Sequence, residues 1–245
     1  NFIYEYTLTM EGSAELGMIC GGTCTILYQY LSASDLPLVQ EVLSVIASKE
    51  QYWLLLPVLE GKLQILQGAS EIQGNGLIEI DGTQYYAERF NFDGKVYIFG
   101  GGHLAQEVVP VLSHLGFRCV VLDDREEFSK PELFAGAEEV LCVDFKELAN
   151  AVQITENDYV AVMTRGHLHD ADVERFVLKT PAHYIGVVGS RRKAKLTRET
   201  LRSEGFSDEQ LDRIITPIGL EIGSETPAEI AISIAAQFIQ VRANR

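Results

Sequence analysis

A glycine-rich turn in the second half of the chain has the spacing of a phosphate-binding loop. The stretch FGGGHLAQEV holds a GxGxxA pattern at Gly100, Gly102 and Ala105, between a predicted strand and a predicted helix. Such a turn brings a phosphate close to backbone N–H groups, and the helix N-terminus adds partial positive charge. The pattern predicts cofactor binding at Gly100, Gly101 and Gly102, while a Rossmann-like fold with an empty cleft is the alternative.

Two side chains near this turn are candidates for ligand contact. Asp123 ends the next predicted strand, where a carboxylate can accept hydrogen bonds from ribose hydroxyls. His103 is at the tip of the turn, where it either contacts a ligand or is an exposed residue at a helix start. We keep both residues as candidate cofactor-binding positions.

A third group of polar residues follows the predicted strand DYVAVMT. Open α/β sheets bind ligands at the carboxyl ends of their strands, which predicts a site at Thr164, Arg165, His167 and Asp170. Histidine and aspartate can bind zinc or iron, but this spacing matches no common metal motif. We favour residues that orient an anion, and an Asp170 that only caps the next helix is the alternative.

The stretch GVVGSRRKAKLTRE places a cluster of cations at another predicted helix start. The cluster comprises Ser190, Arg191, Arg192 and Lys193. N–H groups and cations together attract phosphate, whereas cations alone at an N-terminus oppose the helix dipole. An anion-binding site is therefore favoured over a merely solvated helix face.

The stretch ELGMICGGTC raises the question of what its two cysteines do. Zinc sites use closer cysteine pairs and further ligands, and a disulfide is disfavoured in a reducing compartment. Cys20 is therefore a candidate reactive thiol whose surrounding amides stabilise a thiolate or an anionic ligand; an idle cysteine in a structural turn is the alternative. The neighbouring candidates for cofactor binding are Gly17, Met18, Gly21 and Gly22. Cys24, Cys119 and Cys142 are expected to be buried.

Composition limits the classes of partner. The chain has 245 residues, 47% of them hydrophobic, and a formal net charge of −15. The acidic balance argues against nucleic acid and anionic membranes, which are bound mainly through lysine and arginine. No apolar run approaches the length of a membrane span, about 20 residues. We expect a soluble, cytoplasmic protein.

The order of predicted elements indicates two domains. From residue 93 onwards, apolar strands alternate with amphipathic helices, which is typical of a Rossmann-like, doubly wound α/β domain with a parallel sheet. TPAEIAISIAAQFIQVR carries a capping box at Thr226 and predicts a final helix over 227–242. Residues 1–92 predict a smaller α+β domain; it begins inside a predicted strand, so we expect it to be truncated at its start.

Several motifs together resemble those of a known family. Along the chain, these motifs occur in the order GMICGG, YIFGGGHLAQ, MTRGH, GVVGSRRK and PIGLEIGSETPAEIAISIAAQ. They resemble the xanthine dehydrogenase accessory factor (XdhC/CoxI) family over essentially the whole chain. The resemblance implies an XdhC/CoxI-type domain at 1–92, a Rossmann domain at 93–245, and binding of molybdenum cofactor, as molybdopterin or its dinucleotide form. It also implies assistance in sulfuration and insertion of that cofactor, with a molybdenum hydroxylase apoenzyme and a cysteine desulfurase as partners.

The residues and the resemblance together give a working hypothesis. A phosphate-bearing pterin is held by Gly100–Gly102 and Ser190–Lys193, and the Cys20 thiolate from the first domain reaches the molybdenum. A cofactor-binding chaperone is favoured over an enzyme with turnover, and a homodimer is a further expectation. The alternatives are an oxidoreductase that uses NAD(P) at the same glycine turn and a scaffold with no ligand.

Overall fold

The chain divides into two compact units, Asn1–Phe92 and Asp93–Arg245. The computed structural model describes residues 1–8, 22–48, 52–68, 72, 74–90, 94–165 and 167–244. Within these ranges no helix is long and apolar enough to span a membrane.

The first unit contains two antiparallel sheets. Its elements are β1 (Phe2–Leu8), β2 (Gly22–Tyr28), α1 (Leu36–Ser48), β3 (Tyr52–Pro57), β4 (Gln64–Gln67), β5 (Gly76–Ile80) and β6 (Thr83–Phe90). Strands β1 and β2 form a two-stranded sheet, and the others form a four-stranded sheet in the order β4-β3-β6-β5. Trp53, Leu55, Tyr85 and Ala87 form a small core on the larger sheet.

The second unit alternates strands and helices. Its strands are β7 (Lys95–Phe99), β8 (Arg118–Asp123), β9 (Glu139–Cys142), β10 (Tyr159–Val162), β11 (Tyr184–Val187) and β12 (Ile214–Ile215). Its α-helices are α2 (His103–His114), α3 (Leu148–Ala151), α4 (His167–Val177), α5 (Arg191–Ser203), α6 (Asp208–Leu211) and α7 (Pro227–Ala243).

The six strands of this unit form one parallel sheet in the order β12-β11-β10-β7-β8-β9. This is the strand order of a Rossmann fold, in which the chain reverses direction across the sheet between its first and fourth strands. The strand order confirms the predicted doubly wound α/β fold.

Alternation along each strand explains why the sheet has a core on both faces. In β7, Val96 and Ile98 belong to the cluster that includes Phe238 of α7, whereas Tyr97 and Phe99 belong to the opposite cluster. Successive strand residues point to opposite faces, so a strand that is apolar throughout needs helices on both sides. Helices α2 and α7 cover one face, and α3 to α6 contribute to the other.

Two helix starts can be compared with the capping residues that the sequence suggests, and one of them differs. The Thr226 hydroxyl accepts a hydrogen bond from the Glu229 N–H, and the Glu229 carboxylate accepts one from the Thr226 N–H. The predicted capping box and the final helix are therefore both present. Helix α4, however, begins at His167, so that Asp170 lies inside its first turn and does not precede it as a cap.

Candidate functional site

The Gly100–Gly102 turn connects β7 to α2, as the GxGxxA pattern predicts. Gly100 has φ +107°, a conformation that favours glycine, and a Cβ at Gly100 would lie 2.5 Å from the Met163 carbonyl oxygen. A Cβ at Gly101 would lie 2.2 Å from the Phe128 carbonyl oxygen, whereas a Cβ at Gly102 would meet open space. The first two glycines are therefore required by packing inside the protein itself, and Gly102 is the position open to a ligand.

The amides of this turn are partly engaged by the protein. The Gly100 N–H donates to the Leu122 carbonyl at 2.7 Å, and the Gly101 N–H donates to the Asp123 carboxylate at 2.7 Å. The Gly102 peptide precedes α2, whose first-turn N–H groups have no partner within the helix. Any anion at this turn therefore has to rely on the start of α2 more than on Gly100 or Gly101.

Asp123 is a buried carboxylate with both oxygens occupied. Arg125 donates from Nε and Nη2 to its two oxygens at 2.8 and 2.9 Å, and the Arg125 N–H donates at 3.0 Å. Burial alone would raise the pKa of Asp123, but the hydrogen bonds from Arg125 and Gly101 lower it below its ordinary value. A ribose hydroxyl would therefore have to share or replace these bonds, and ribose recognition by Asp123 stays a prediction.

Asp170 connects the ends of two strands through charged and polar contacts. Its carboxylate is buried and accepts hydrogen bonds from the Thr164 hydroxyl and from the Lys193 ammonium. Thr164 follows β10, and Lys193 lies in the first turn of α5 after β11. The structure thus brings together Thr164, Asp170 and Lys193 from two separate sequence motifs, and it turns the charge of Lys193 inward.

Among the described residues, Arg165 and His169 form no hydrogen bond or ion pair with Asp170 or Lys193. Arg165 is exposed, and His167 is the first residue of α4. His169 lies with its Nε2 3.9 Å from an Asp124 oxygen, and its ring is 5.9 Å from that of Phe145. His103, the candidate on the first turn, is exposed at the start of α2. In the described ranges, no group of three or more histidine, cysteine or acidic residues has a geometry that could hold a metal ion.

At the start of α5, Ser190, Arg191 and Arg192 are exposed, whereas Lys193, also predicted to bind an anion, pairs with Asp170. The Ser190 hydroxyl caps the helix by accepting from the Lys193 N–H at 3.3 Å. Arg191 and Arg192 are exposed, and the Arg191 Nη2 is 2.7 Å from a Glu221 carboxylate oxygen. Both members of that ion pair are more than 80% exposed, so the pair contributes little to stability, and Arg191 is available to an anionic ligand.

An open cleft of about 640 Å³ lies beside the α5 start. Its walls come from Val188–Ser190 and from the loop Pro217–Ser224, with Ile230 and Ser233 of α7. Gly219, with φ +98°, passes so close to α7 that a Cβ there would lie 2.4 Å from the Ser233 hydroxyl oxygen. Hydrogen bonds to Gln237 and Ser233 hold this loop on α7, so the wall of the cleft is fixed by a helix.

The cysteine predictions had mixed outcomes. Cys20, with Gly17, Met18 and Gly21, lies outside the described residues, so the thiol and molybdenum-ligand hypothesis stays a prediction; Gly22 is the exposed first residue of β2. Cys119 is buried as expected, and burial raises the pKa of its thiol to about 12. The prediction that Cys24 and Cys142 are buried was wrong, because both residues are exposed. Cys142 ends β9, which is the outermost strand of its sheet, so no further strand covers it.

Sequence reasoning missed three parts of the site. The first is the ion pair between Arg125 and Asp123. The second is the Pro217–Ser224 loop, which forms one wall of the cleft. The third is Glu174 of α4, a buried acid beside Asp170. A usable signal existed for Glu174, since Asp170, Glu174 and Val177 are spaced i, i+4 and i+7. That spacing places two acids on the apolar face of the helix.

The strand order, the glycine turn after the first strand of the sheet and the cleft beside α5 define a Rossmann-like domain. Residues 96–238 match the family model of the XdhC Rossmann domain. Since this match spans more than half of the 245 residues, the chain belongs to the XdhC family.

Comparison with known proteins gives relatives that are longer than this chain. The uncharacterized protein YqeB of Escherichia coli (strain K12) is 32% identical over 61% of this chain and 28% of its own length. A protein of Bacillus subtilis (strain 168) that is described as a probable xanthine dehydrogenase subunit is 28% identical over 65% of this chain and 46% of its own length. The chain therefore spans less than half of either relative.

A solved structure has the same fold. A crystal structure of a xanthine dehydrogenase from Bacillus halodurans superposes with a TM-score of 0.80 and 24% identity, over 100% of this chain and 76% of that one.

Proposed function

We propose that this protein is an accessory factor that binds molybdenum cofactor and assists its sulfuration and insertion into a molybdenum hydroxylase such as xanthine dehydrogenase. Membership in the XdhC family suggests the accessory role. The observation that supports cofactor binding is the cleft of about 640 Å³ at the serine-capped start of α5, where the next two residues, Arg191 and Arg192, are exposed. We place the protein among cofactor-binding chaperones and not among enzymes with turnover.

The donors at the cleft fit a phosphate-bearing ligand. The N–H groups of Arg191 and Arg192 at the start of α5 have no intrahelical acceptor, whereas the Lys193 N–H already donates to the Ser190 hydroxyl. Arg191 and Arg192 supply positive charge at the rim. The volume is within the usual range of small-molecule sites, roughly 300–1,000 Å³.

Each part of the cleft has a role in holding the cofactor. Ser190 caps the first turn of α5, and Arg191, whose exposed ion pair with Glu221 is weak, would pair with the phosphate. The apolar wall, which includes Ile218, Leu220 and Ile222, would pack against the part of the ligand next to the phosphate. When bound, molybdenum cofactor supplies the metal centre that the hydroxylase needs.

Delivery, as opposed to catalysis, requires that the cofactor be released. An open cleft whose charged rim residues are exposed suits reversible binding, because phosphate contacts in water are weaker than those in a buried site. We propose the molybdenum hydroxylase apoenzyme as the acceptor and a cysteine desulfurase as the sulfur donor.

The test is to produce the full chain in cells with and without a supply of molybdopterin. We expect bound molybdenum, phosphate and pterin fluorescence only with the supply, and activation of an apo-hydroxylase by the loaded protein when cysteine desulfurase is present. A loaded protein that fails to activate would contradict the delivery role. A protein that contains no cofactor but binds NAD(P), with a substrate-linked absorbance change, would favour the oxidoreductase alternative.

A further inference from the structure

A second cavity lies on the other side of the α5 start. It has a volume of about 200 Å³ and a mostly apolar lining that includes Val187, Leu211 and Ile214. It shares Val188 and Gly189 with the large cleft, so the two spaces adjoin at the end of β11. About 200 Å³ admits a single ring system but not a whole nucleotide.

The lining of this cavity includes one buried acid beside Asp170. Glu174 is 4% exposed and lines the cavity. Within the described part of the chain, no hydrogen bond or ion pair joins its carboxylate to another side chain. Burial and the negative charge of Asp170 raise the pKa of Glu174 to about 7, and the positive charges of Lys193 and Arg175 offset this only in part.

The Glu174 carboxylate therefore borders an apolar space without a hydrogen-bond partner from the described side chains. Buried polar groups normally have partners, so an unpaired buried acid beside a cavity indicates that something else supplies the hydrogen bonds. The lining residues from β11, α6 and β12 are apolar, which suits the faces of a flat ring.

We propose that this cavity binds a 2-amino-4-oxopyrimidine ring, as found in pterins and in guanine, with Glu174 accepting hydrogen bonds from its two adjacent N–H donors. A carboxylate pairs with two parallel N–H donors in the same manner as with arginine. The ring thereby supplies the two partners that the buried acid lacks. The proposal rests on the proposed function, because it assigns the pterin end of the same cofactor whose phosphate lies at the α5 start.

The experiment is equilibrium dialysis of the full chain against four ligands in separate measurements. One ligand is pterin, which is detected by its fluorescence, and the others are guanosine, inosine and adenosine monophosphates. We expect binding of pterin or guanosine monophosphate, and at least about tenfold weaker binding of the inosine nucleotide, which lacks the amino group, and of the adenosine nucleotide. Comparing the pterin and guanosine arms identifies which source of the ring is recognised.

Variants separate recognition from folding. Glu174→Gln keeps the size of the side chain but replaces one acceptor by a donor, so affinity should fall at least about tenfold. Glu132→Gln, at an exposed acid in the short 3-10 helix Pro131–Leu133, is the matched control and should bind like the wild type. Far-ultraviolet circular dichroism of each variant checks that the fold is kept.

The inference is overturned if neither ring compound binds, if Glu174→Gln binds as tightly as the wild type, or if inosine and guanosine nucleotides bind equally. These results are distinct from a failure of the proposed function. A chain that carries molybdenum and phosphate but is indifferent to Glu174→Gln keeps the proposed function and loses this ring site. A chain that binds pterin through Glu174 but never carries molybdenum keeps the ring site and loses the proposed function.

Discussion

The two glycine turns of the second unit have the same local design and different surroundings. Each follows a parallel strand and precedes a helix, β7 before α2 and β11 before α5. At the first turn, the Gly101 N–H donates to Asp123, and the Phe128 carbonyl packs where a Cβ would be. At the second, the helix start borders a cleft of about 640 Å³ with Arg191 and Arg192 exposed.

This difference shows that a glycine pattern of this kind predicts the conformation of the turn. It does not by itself predict that a phosphate binds there. The same backbone shape can also be used for packing inside the protein. At the first turn, the Asp123 carboxylate accepts a hydrogen bond from the Gly101 N–H, and the Phe128 carbonyl packs against Gly101. What distinguishes a ligand site is the presence of donors that the protein has left without acceptors, next to open space.

The largest expected effect concerns the internal role of the first turn. Gly101→Ala places a methyl group 2.2 Å from the Phe128 carbonyl, so we expect a loss of about 4 kcal/mol in the free energy of unfolding or failure to fold. Gly102→Ala is the matched control and should cost less than about 1 kcal/mol. Urea denaturation measures both, and equal stabilities would show that the turn is not packed as described.

The next effect concerns the support of the second turn. Asp170→Asn leaves the Lys193 ammonium without its buried counter-charge, and we expect a loss of about 3 kcal/mol. Asp172→Asn, in the same helix but with a partly exposed ion pair to Arg175, should cost under about 1 kcal/mol. Similar urea midpoints for the two variants would contradict the role given to Asp170.

Glu174 gives a pH-dependent test of the buried acid. Its pKa is about 7 in the folded chain against an ordinary value of 4.5, so the folded state binds more protons than the unfolded state between these pH values. The free energy of unfolding should therefore fall as pH rises through this range, by up to about 3 kcal/mol, and then level off. Glu174→Gln should remove that fall and be more stable than the wild type above pH about 7. Parallel pH profiles for the two proteins would show that Glu174 is not buried in this way.

The smallest expected effect on stability belongs to the open rim. Arg191→Ala removes only an exposed ion pair with Glu221, so the free energy of unfolding should change by less than about 0.5 kcal/mol. A thermal melt of the ligand-free protein checks this. A loss above about 2 kcal/mol would mean that Arg191 is a structural residue and not a residue reserved for a ligand.

The sequence predicted those features that depend on local pattern. The apolar strands, the order of alternation and the Thr226 capping box are visible in residue spacing, and the Rossmann-like fold follows from them. The approach of Arg125 to Asp123 is also local in sequence, but nothing in the spacing says that the carboxylate is used internally and not by a ribose.

Other features depend on contacts between distant segments. The Lys193 ammonium turns away from the α5 rim because Asp170 lies 23 residues earlier on a neighbouring helix. Cys142 lies in an apolar run but ends the outermost strand, and only the sheet order reveals its exposure. The cleft wall at Pro217–Ser224 is fixed by α7, which follows it in the chain.

The central proposal is that the cofactor phosphate is held at the α5 start and not at the start of α2. The most direct measurement is the molybdenum and pterin content of the full chain purified from cells with a molybdopterin supply, for the wild type and two variants. The account predicts that Arg191→Ala combined with Arg192→Ala lowers occupancy more than about tenfold, while Gly102→Asp, which caps α2 and repels anions there, loads normally. Normal loading of the double variant together with loss of cofactor in Gly102→Asp would contradict it.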